Sequence, residues 1–209
     1  MRIFELFGAP GAGKSTLSKS AECLIETRYK IWTRNELINT HPSKACKIYD
    51  SFLAVLTDPF FAFTVYKFSM SYGLNLTNLT YATRLIKLDY LIQKKKKNAC
   101  SNDIILLDEG YIQHITSMPN DIKLKRTRNY YALIKQTKRK LNGAKFFYCE
   151  VNQDLAVERL IKRNQEFSTR ISKLPHDQLK RNIAIRIDNL RQLIADLEII
   201  DLVKVIDSS

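Results

Sequence analysis

The apolar run Ile3-Phe4-Glu5-Leu6-Phe7 opens the chain and ends at Gly8, and apolar residues return at helical spacing at Leu17, Ala21, Leu24 and Ile25. This pattern predicts a first strand at Ile3–Phe7 and a helix from about Lys14 to Thr27. Tyr29–Thr33 suits a second strand. From about Lys44 to Lys97 no strand pattern occurs, and Phe52, Leu53, Leu56, Phe60, Phe61, Phe63, Tyr66 and Phe68 crowd the segment. Pro59 is expected to interrupt it, giving two or three helices, with Phe60–Phe68 in a buried one. The uninterrupted run Ile104-Ile105-Leu106-Leu107 reads as a strand buried on both faces, as parallel sheets require. A helix from Ile122 to Leu141 stops at Asn142-Gly143, and a strand follows at Lys145–Val151. Asn152 can cap the next helix, which bears Leu155, Val157, Leu160 and Ile161. A polar stretch at about 164–175, a helix from Gln178 to Leu197 and a strand at Leu202–Ile206 complete the chain. Such alternation predicts an α/β, doubly wound fold in a single domain, 1–209, with a helical insertion at about 44–97 between the second and third strands.

Composition narrows the class without naming a function. Hydrophobic residues make up 45% of the 209 positions, enough for one sizeable core and too many for a disordered chain. The N-terminal apolar stretch is too short and too soon interrupted by Glu5 for a signal peptide, and no window suits a membrane span. Cys23, Cys46, Cys100 and Cys149 lie far apart without metal-ligand spacing, which points to free thiols and a cytoplasmic location. The formal charge of +13 attracts polyanions. Much of it is local, with nine Lys or Arg against one acid between Asp121 and Lys145, a pattern that a solvated helix face explains. Lys94–Lys97 are similarly explained by the favourable field at a helix C-terminus.

The candidate chemistry begins at residues 8–16, Gly8-Ala9-Pro10-Gly11-Ala12-Gly13-Lys14-Ser15-Thr16, between a predicted strand and a predicted helix. Glycines let the main chain curl so that N–H groups converge on phosphate oxygens, and the helix N-terminus adds partial positive charge. Lys14 would reach the β- and γ-phosphates, and the Ser15 hydroxyl would ligate Mg²⁺. The segment resembles the phosphate-binding loop, or Walker A motif, of the P-loop NTPase superfamily. Its wording is similar to that of nucleotide and nucleoside kinases of the thymidylate, deoxynucleoside and adenylate kinase types. The resemblance implies a five-stranded parallel sheet with flanking helices, ATP and Mg²⁺ as cofactors, and a site at the carboxyl ends of the strands.

The remaining residues can be assigned around a γ-phosphate. Asp108 ends the apolar strand and would bind Mg²⁺ through water; Glu109 beside it is the candidate general base. The stretch Val151–Arg170 resembles the kinase segment in which a helix bearing an Arg-x-x-x-Arg pair leads into an arginine-bearing lid. Here that pair is Arg159 and Arg163, with Arg163 and Arg170 as lid arginines and about 164–175 as the lid. Kinases of this type place charged residues at the end of the second strand, which makes Arg34 and Glu36 acceptor-site candidates, with Glu36 as a rival base. Tyr111 and His114 are further candidates for the pocket. The family's motifs after the third strand, Asp-Arg-Tyr-like or Glu-Arg-Ser-like, are replaced by Asp108-Glu109-Gly110-Tyr111. The leading expectation is therefore an ATP-dependent small-molecule kinase. Its partners would be a nucleoside triphosphate and a small acceptor bearing a hydroxyl or phosphate, such as a nucleoside or nucleotide. An NTP-hydrolysing switch using Asp108-Glu109 is the alternative, and a nucleic-acid end-processing kinase or binder, suggested by the charge, is a third.

Overall fold

The first strand, β1 (Arg2–Gly8), sends alternate side chains into two apolar clusters: Ile3 and Phe7 into one, Leu6 and Phe4 into the other. The computed structural model describes residues 1–25, 30–39, 44–98, 100, 102–119, 122–166, 175–200 and 203–207. Within them β2 (Ile31–Thr33), β3 (Ile104–Leu107), β4 (Lys145–Glu150) and β5 (Val203–Asp207) join β1 in one parallel sheet of order β2-β3-β1-β4-β5. The expected five-stranded, doubly wound α/β architecture is what forms. β1 lies between β3 and β4, in register Glu5↔Leu107 and Phe7↔Tyr148. The carboxyl ends of β1 and β3 are therefore neighbours, which brings the two sequence motifs together where such sheets hold ligands.

Helix α1 (Lys14–Ile25) follows β1, and α2 (Arg34–Asn39), α3 (Lys44–Thr57), α4 (Pro59–Met70) and α5 (Leu76–Asn98) lie between β2 and β3. Pro59 acts by starting α4: it occupies the first helical position, where its missing N–H is harmless, and Asp58 caps the helix by accepting from the Phe61 N–H at 2.9 Å. The Phe60–Phe68 segment is only half buried. Phe61, Val65 and Phe68 enter the core, whereas Phe60 and Phe63 are 71% and 57% exposed on the other face.

Helix α6 (Tyr111–Ser117) follows β3 and was not expected from the sequence. Helix α7 (Arg128–Lys140) starts later than Ile122, the position expected from periodicity. Its actual cap is Thr127, and residues 122–127 have their backbone groups occupied elsewhere. Asn189 accepts from the Leu124 N–H at 2.8 Å and donates to the Ile122 carbonyl at 3.0 Å, and the Tyr72 hydroxyl accepts from the Lys125 N–H at 2.7 Å. The basic face of α7 is also not uniformly solvated. Lys140 turns inward and bridges Asp58 at 2.8 Å and Asp89 at 2.7 Å.

Helices α8 (Gln153–Glu166) and α9 (His176–Leu197) cover the other side of the site, packing Ala156, Val157, Leu160, Leu179 and Ile183 against Ala9 and Ala12. Residues 167–174, most of the expected lid, lie outside the described residues. No single helix among the described residues is long and apolar enough to cross a membrane.

Candidate active site

The loop after β1 folds on its glycines. Gly11 and Gly13 have φ of +84° and +74°, and a Cβ at Gly8 would lie 2.5 Å from the Cys149 carbonyl oxygen. The Thr16 and Leu17 N–H groups both donate to the Gly13 carbonyl, so α1 begins directly at the loop. Lys14 folds back over the curl and donates to the Gly8 and Ala9 carbonyls at 2.9 Å each. Burial pushes its ammonium down to about 8, against the pull of Cys149, Glu109 and Asp108, and Arg186 adds to the depression. The Ser15 hydroxyl donates to Asp108 Oδ2 at 3.5 Å, so the two oxygen donors expected around one cation do converge. No group of three or more His, Cys, Asp or Glu side chains among the described residues could hold a metal alone. A hydroxyl plus one carboxylate fits Mg²⁺, which keeps several waters and takes phosphate oxygens from its nucleotide.

Glu109 pairs with Arg34, Nη2 to Oε2 at 3.1 Å, across the ends of β3 and β2. Both residues stand close to the cavity, but only Glu109 lines it. That cavity, of about 400 Å³, runs from the loop past Asp108 and Glu109 to Tyr81, Gln113, His114 and Ser117, with Arg159 and Arg186 on the α8–α9 side. Gln113 Oε1 accepts from the Gly8 N–H at 3.4 Å, joining the far end of the cavity to the loop. The rings of Tyr81 and His114 lie with centroids 6.3 Å apart. Burial first, then Arg34 and Arg84, pushes the His114 imidazole down to about 3.

Three acceptor-site expectations land differently. Glu36 Oε2 accepts from the Thr33 N–H at 2.8 Å and its hydroxyl at 3.1 Å, while the Glu36 N–H donates to that hydroxyl at 3.2 Å. This is a capping box at the start of α2, and it turns the carboxylate toward the backbone. Tyr111 is fully buried in the core and outside the cavity wall, with its hydroxyl donating to Asp89 Oδ1 at 2.5 Å. Arg34 is engaged with Glu109. On α8, Arg159 Nη1 donates to the Gly11 carbonyl at 3.4 Å. The Arg163 side chain and Arg170 lie outside the described residues.

Tyr81, Gln113 and Arg186 were not singled out from the sequence. Tyr81 and Arg186 lie on helices whose local pattern shows only which face is apolar; Gln113 had a weak signal, four positions after Glu109 on a helix that periodicity did not reveal.

No protein-family model and no curated protein sequence matches the chain. Among solved structures, deoxyadenosine kinase from M. mycoides with bound dCTP superposes with a TM-score of 0.50 at 17% identity, covering 99% of this chain and 90% of that one. The chain has a P-loop nucleoside-kinase-like fold. The same enzyme with bound dATP gives a TM-score of 0.47 at 17% identity, over 100% of this chain and 91% of that one. In this kinase-like fold the cavity lies beyond the carboxyl ends of β1 and β3 and is lined from α5, α6, α8 and α9.

Proposed function

We propose that this protein is an ATP-dependent kinase that transfers the γ-phosphoryl group to a hydroxyl of a nucleoside-type acceptor. The supporting observation is that Glu109 lines the same cavity as the phosphate loop and as Tyr81, Gln113, His114 and Ser117. The cations on the cavity wall are Lys14, Arg159, which donates to the Gly11 carbonyl, and Arg186, which is near enough to depress the Lys14 ammonium. Tyr81, Gln113, His114 and Ser117 offer a stacking surface and neutral hydrogen-bonding groups, which suit a base and sugar.

In this reading residues 8–16 hold the triphosphate, with Lys14 leaving its two carbonyls for the β- and γ-phosphates. Ser15 and Asp108 would hold Mg²⁺, which would supply positive charge against the triphosphate. Glu109 accepts the proton of the attacking hydroxyl, and Arg34 fixes the direction of its carboxylate. Arg159 and Arg186 match the charge spreading over the transferring group, joined by Arg163 of α8 and by Arg170 of the lid at about 164–175. The acceptor contacts pass from Arg34, Glu36 and Tyr111 to the residues that line the cavity. A single domain with the 44–97 insertion as acceptor-side cover, working with free thiols in the cytoplasm, belongs to the same proposal.

The test follows ADP and the fate of the γ-phosphoryl by mass spectrometry, with Mg²⁺ and with or without a panel of nucleosides and nucleotides. ADP formation that depends on acceptor and yields a monophosphate product supports the kinase reading, and Lys14→Ala should abolish it. Phosphate release without acceptor would replace it with a hydrolase. Glu109→Gln should lower kcat by about 10²- to 10⁴-fold with ATP affinity retained; full turnover would remove Glu109 as the base.

A further inference from the structure

Glu5 is an ionisable residue fully buried in the middle of β1, on the face that also carries Ile3 and Phe7. Nothing in the phosphate loop uses it. Its Oε1 accepts from the Ile112 N–H at 2.7 Å, and the neighbouring N–H groups of Tyr111 and Gln113 are near enough to favour its charged form. These are first-turn groups of α6, which have no partner within their own helix. The residue before α6 is Gly110, which supplies no side-chain cap. A strand residue more than a hundred positions earlier does so instead.

Gly110 and Glu5 interlock. A Cβ at Gly110 would lie 2.3 Å from Glu5 Cδ and 2.6 and 2.7 Å from its two oxygens. The φ of Gly110 is −102°, so the glycine is needed for space and not for a left-handed backbone. Meanwhile the Glu5 backbone is paired in the sheet with Leu107. One residue therefore holds both feet of a short arch: its main chain fixes Leu107, and its side chain fixes Ile112. Between the feet stand Asp108, Glu109, Gly110 and Tyr111. Burial pushes the Glu5 carboxyl up to about 8, against three N–H groups that favour its ionised form, and Oε2 has no partner among the described residues.

We propose that Glu5 is a positioning residue for phosphoryl transfer, a buried strut that sets the Asp108–Gly110 arch and thereby aims Asp108 at the cation and Glu109 at the acceptor hydroxyl. The proposal rests on the kinase reading above. A residue serving stability alone would change the melting temperature and leave the metal dependence of nucleotide binding untouched, whereas a strut changes that dependence in a protein that remains folded.

Glu5→Gln is the first variant, because it keeps the shape and one acceptor while placing an NH₂ group against the converging N–H donors. Calorimetry measures ATP affinity with and without Mg²⁺. Glu5→Gln is expected to reduce the Mg²⁺-dependent gain in affinity about tenfold while metal-free ATP binding stays within about twofold. Its kcat should fall about 100-fold with little change in KM for ATP. An unchanged Mg²⁺ gain with unchanged kcat overturns the proposal. If the wild type shows the Mg²⁺ gain but never transfers phosphate to an acceptor, the kinase reading fails, while the calorimetric comparison still judges the strut. Should Glu5→Gln not fold, Glu5→Asp carries the same comparison, since it keeps the charge and withdraws it by one methylene. Amide exchange in the wild type gives a measurement free of variants. The Tyr111–Gln113 amides should exchange as slowly as those of β1, and exchange at the rate of an exposed turn overturns the proposal. Gly110→Ala should lose most of its folded yield and regain it when combined with Glu5→Ala; independent, additive effects count against the interlock.

Discussion

His114 carries its imidazole 2% exposed, beside two arginines, and this has a consequence for acid stability. Its folded value of about 3 lies below the ordinary 6.5, so between those pH values the unfolded chain holds a proton that the folded chain refuses. Stability is therefore expected to fall as pH drops from about 6.5, by up to about 1.4 kcal/mol per unit from this residue. Urea unfolding of wild type and His114→Gln at pH 7 and pH 5 checks it: the wild type should lose more between the two, and equal losses would refute the assignment. The same depression keeps the ring neutral at physiological pH, so that it can offer an acceptor nitrogen in the cavity. Lys14 shows the reverse compromise. Its ammonium is held by two carbonyls at 2.9 Å that a triphosphate would outcompete, so the bonds keep the cation in place without neutralising it.

Among the elements, α4, α5, α6 and α7 meet at one buried polar knot. Lys140 from α7 joins Asp58, the cap of α4, to Asp89 of α5, and Asp89 in turn accepts from Tyr111 of α6. Lys140→Met would leave Asp89, whose side chain is 4% exposed, with the Tyr111 hydroxyl and a long 3.5 Å bond from the Gln93 amide. A loss of about 3–5 kcal/mol is expected in chemical denaturation, and a loss below about 1 kcal/mol would show the knot to be incidental. Elements also mark how far the sequence could be read. The phosphate loop, β3 with its two terminal acids, and the break between helices at Pro59 were legible because the determining residues are consecutive. The Thr33-x-x-Glu36 spacing was equally visible but has two meanings, an acceptor carboxylate or a capping box, and only the bond to the Thr33 N–H separates them. The true start of α7 was not legible, because the groups that hold Ile122, Leu124 and Lys125 out of the helix come from Asn189 and Tyr72, far away in sequence.

For the whole molecule, sheet order explains why part of the cavity escaped the sequence. Residues 8–16, 34 and 108–109 follow strands and share the end of a parallel sheet, whereas Tyr81 and Arg186 arrive through packing of α5 and α9. The charge of +13 also acts at this scale, as a field that would steer the anionic nucleotide of the proposed reaction toward a cavity lined by Lys14, Arg159 and Arg186. The association rate of ATP measured by stopped flow should fall severalfold between about 0.02 and 0.2 M salt, with dissociation much less affected; a salt-independent rate would show the field to be irrelevant. The parallel order has a further consequence during synthesis. β1 emerges from the ribosome first, but its first sheet partner begins at Ile104 and its second at Lys145. At about 5–20 residues per second, that leaves β1 unpaired for on the order of 10 s. The run Ile3-Phe4-Glu5-Leu6-Phe7 would then be a sticky, β-prone segment on a nascent chain. In that interval Glu5 is solvated and charged at the centre of the run, where it guards the newborn chain against aggregation before it becomes a strut in the finished one.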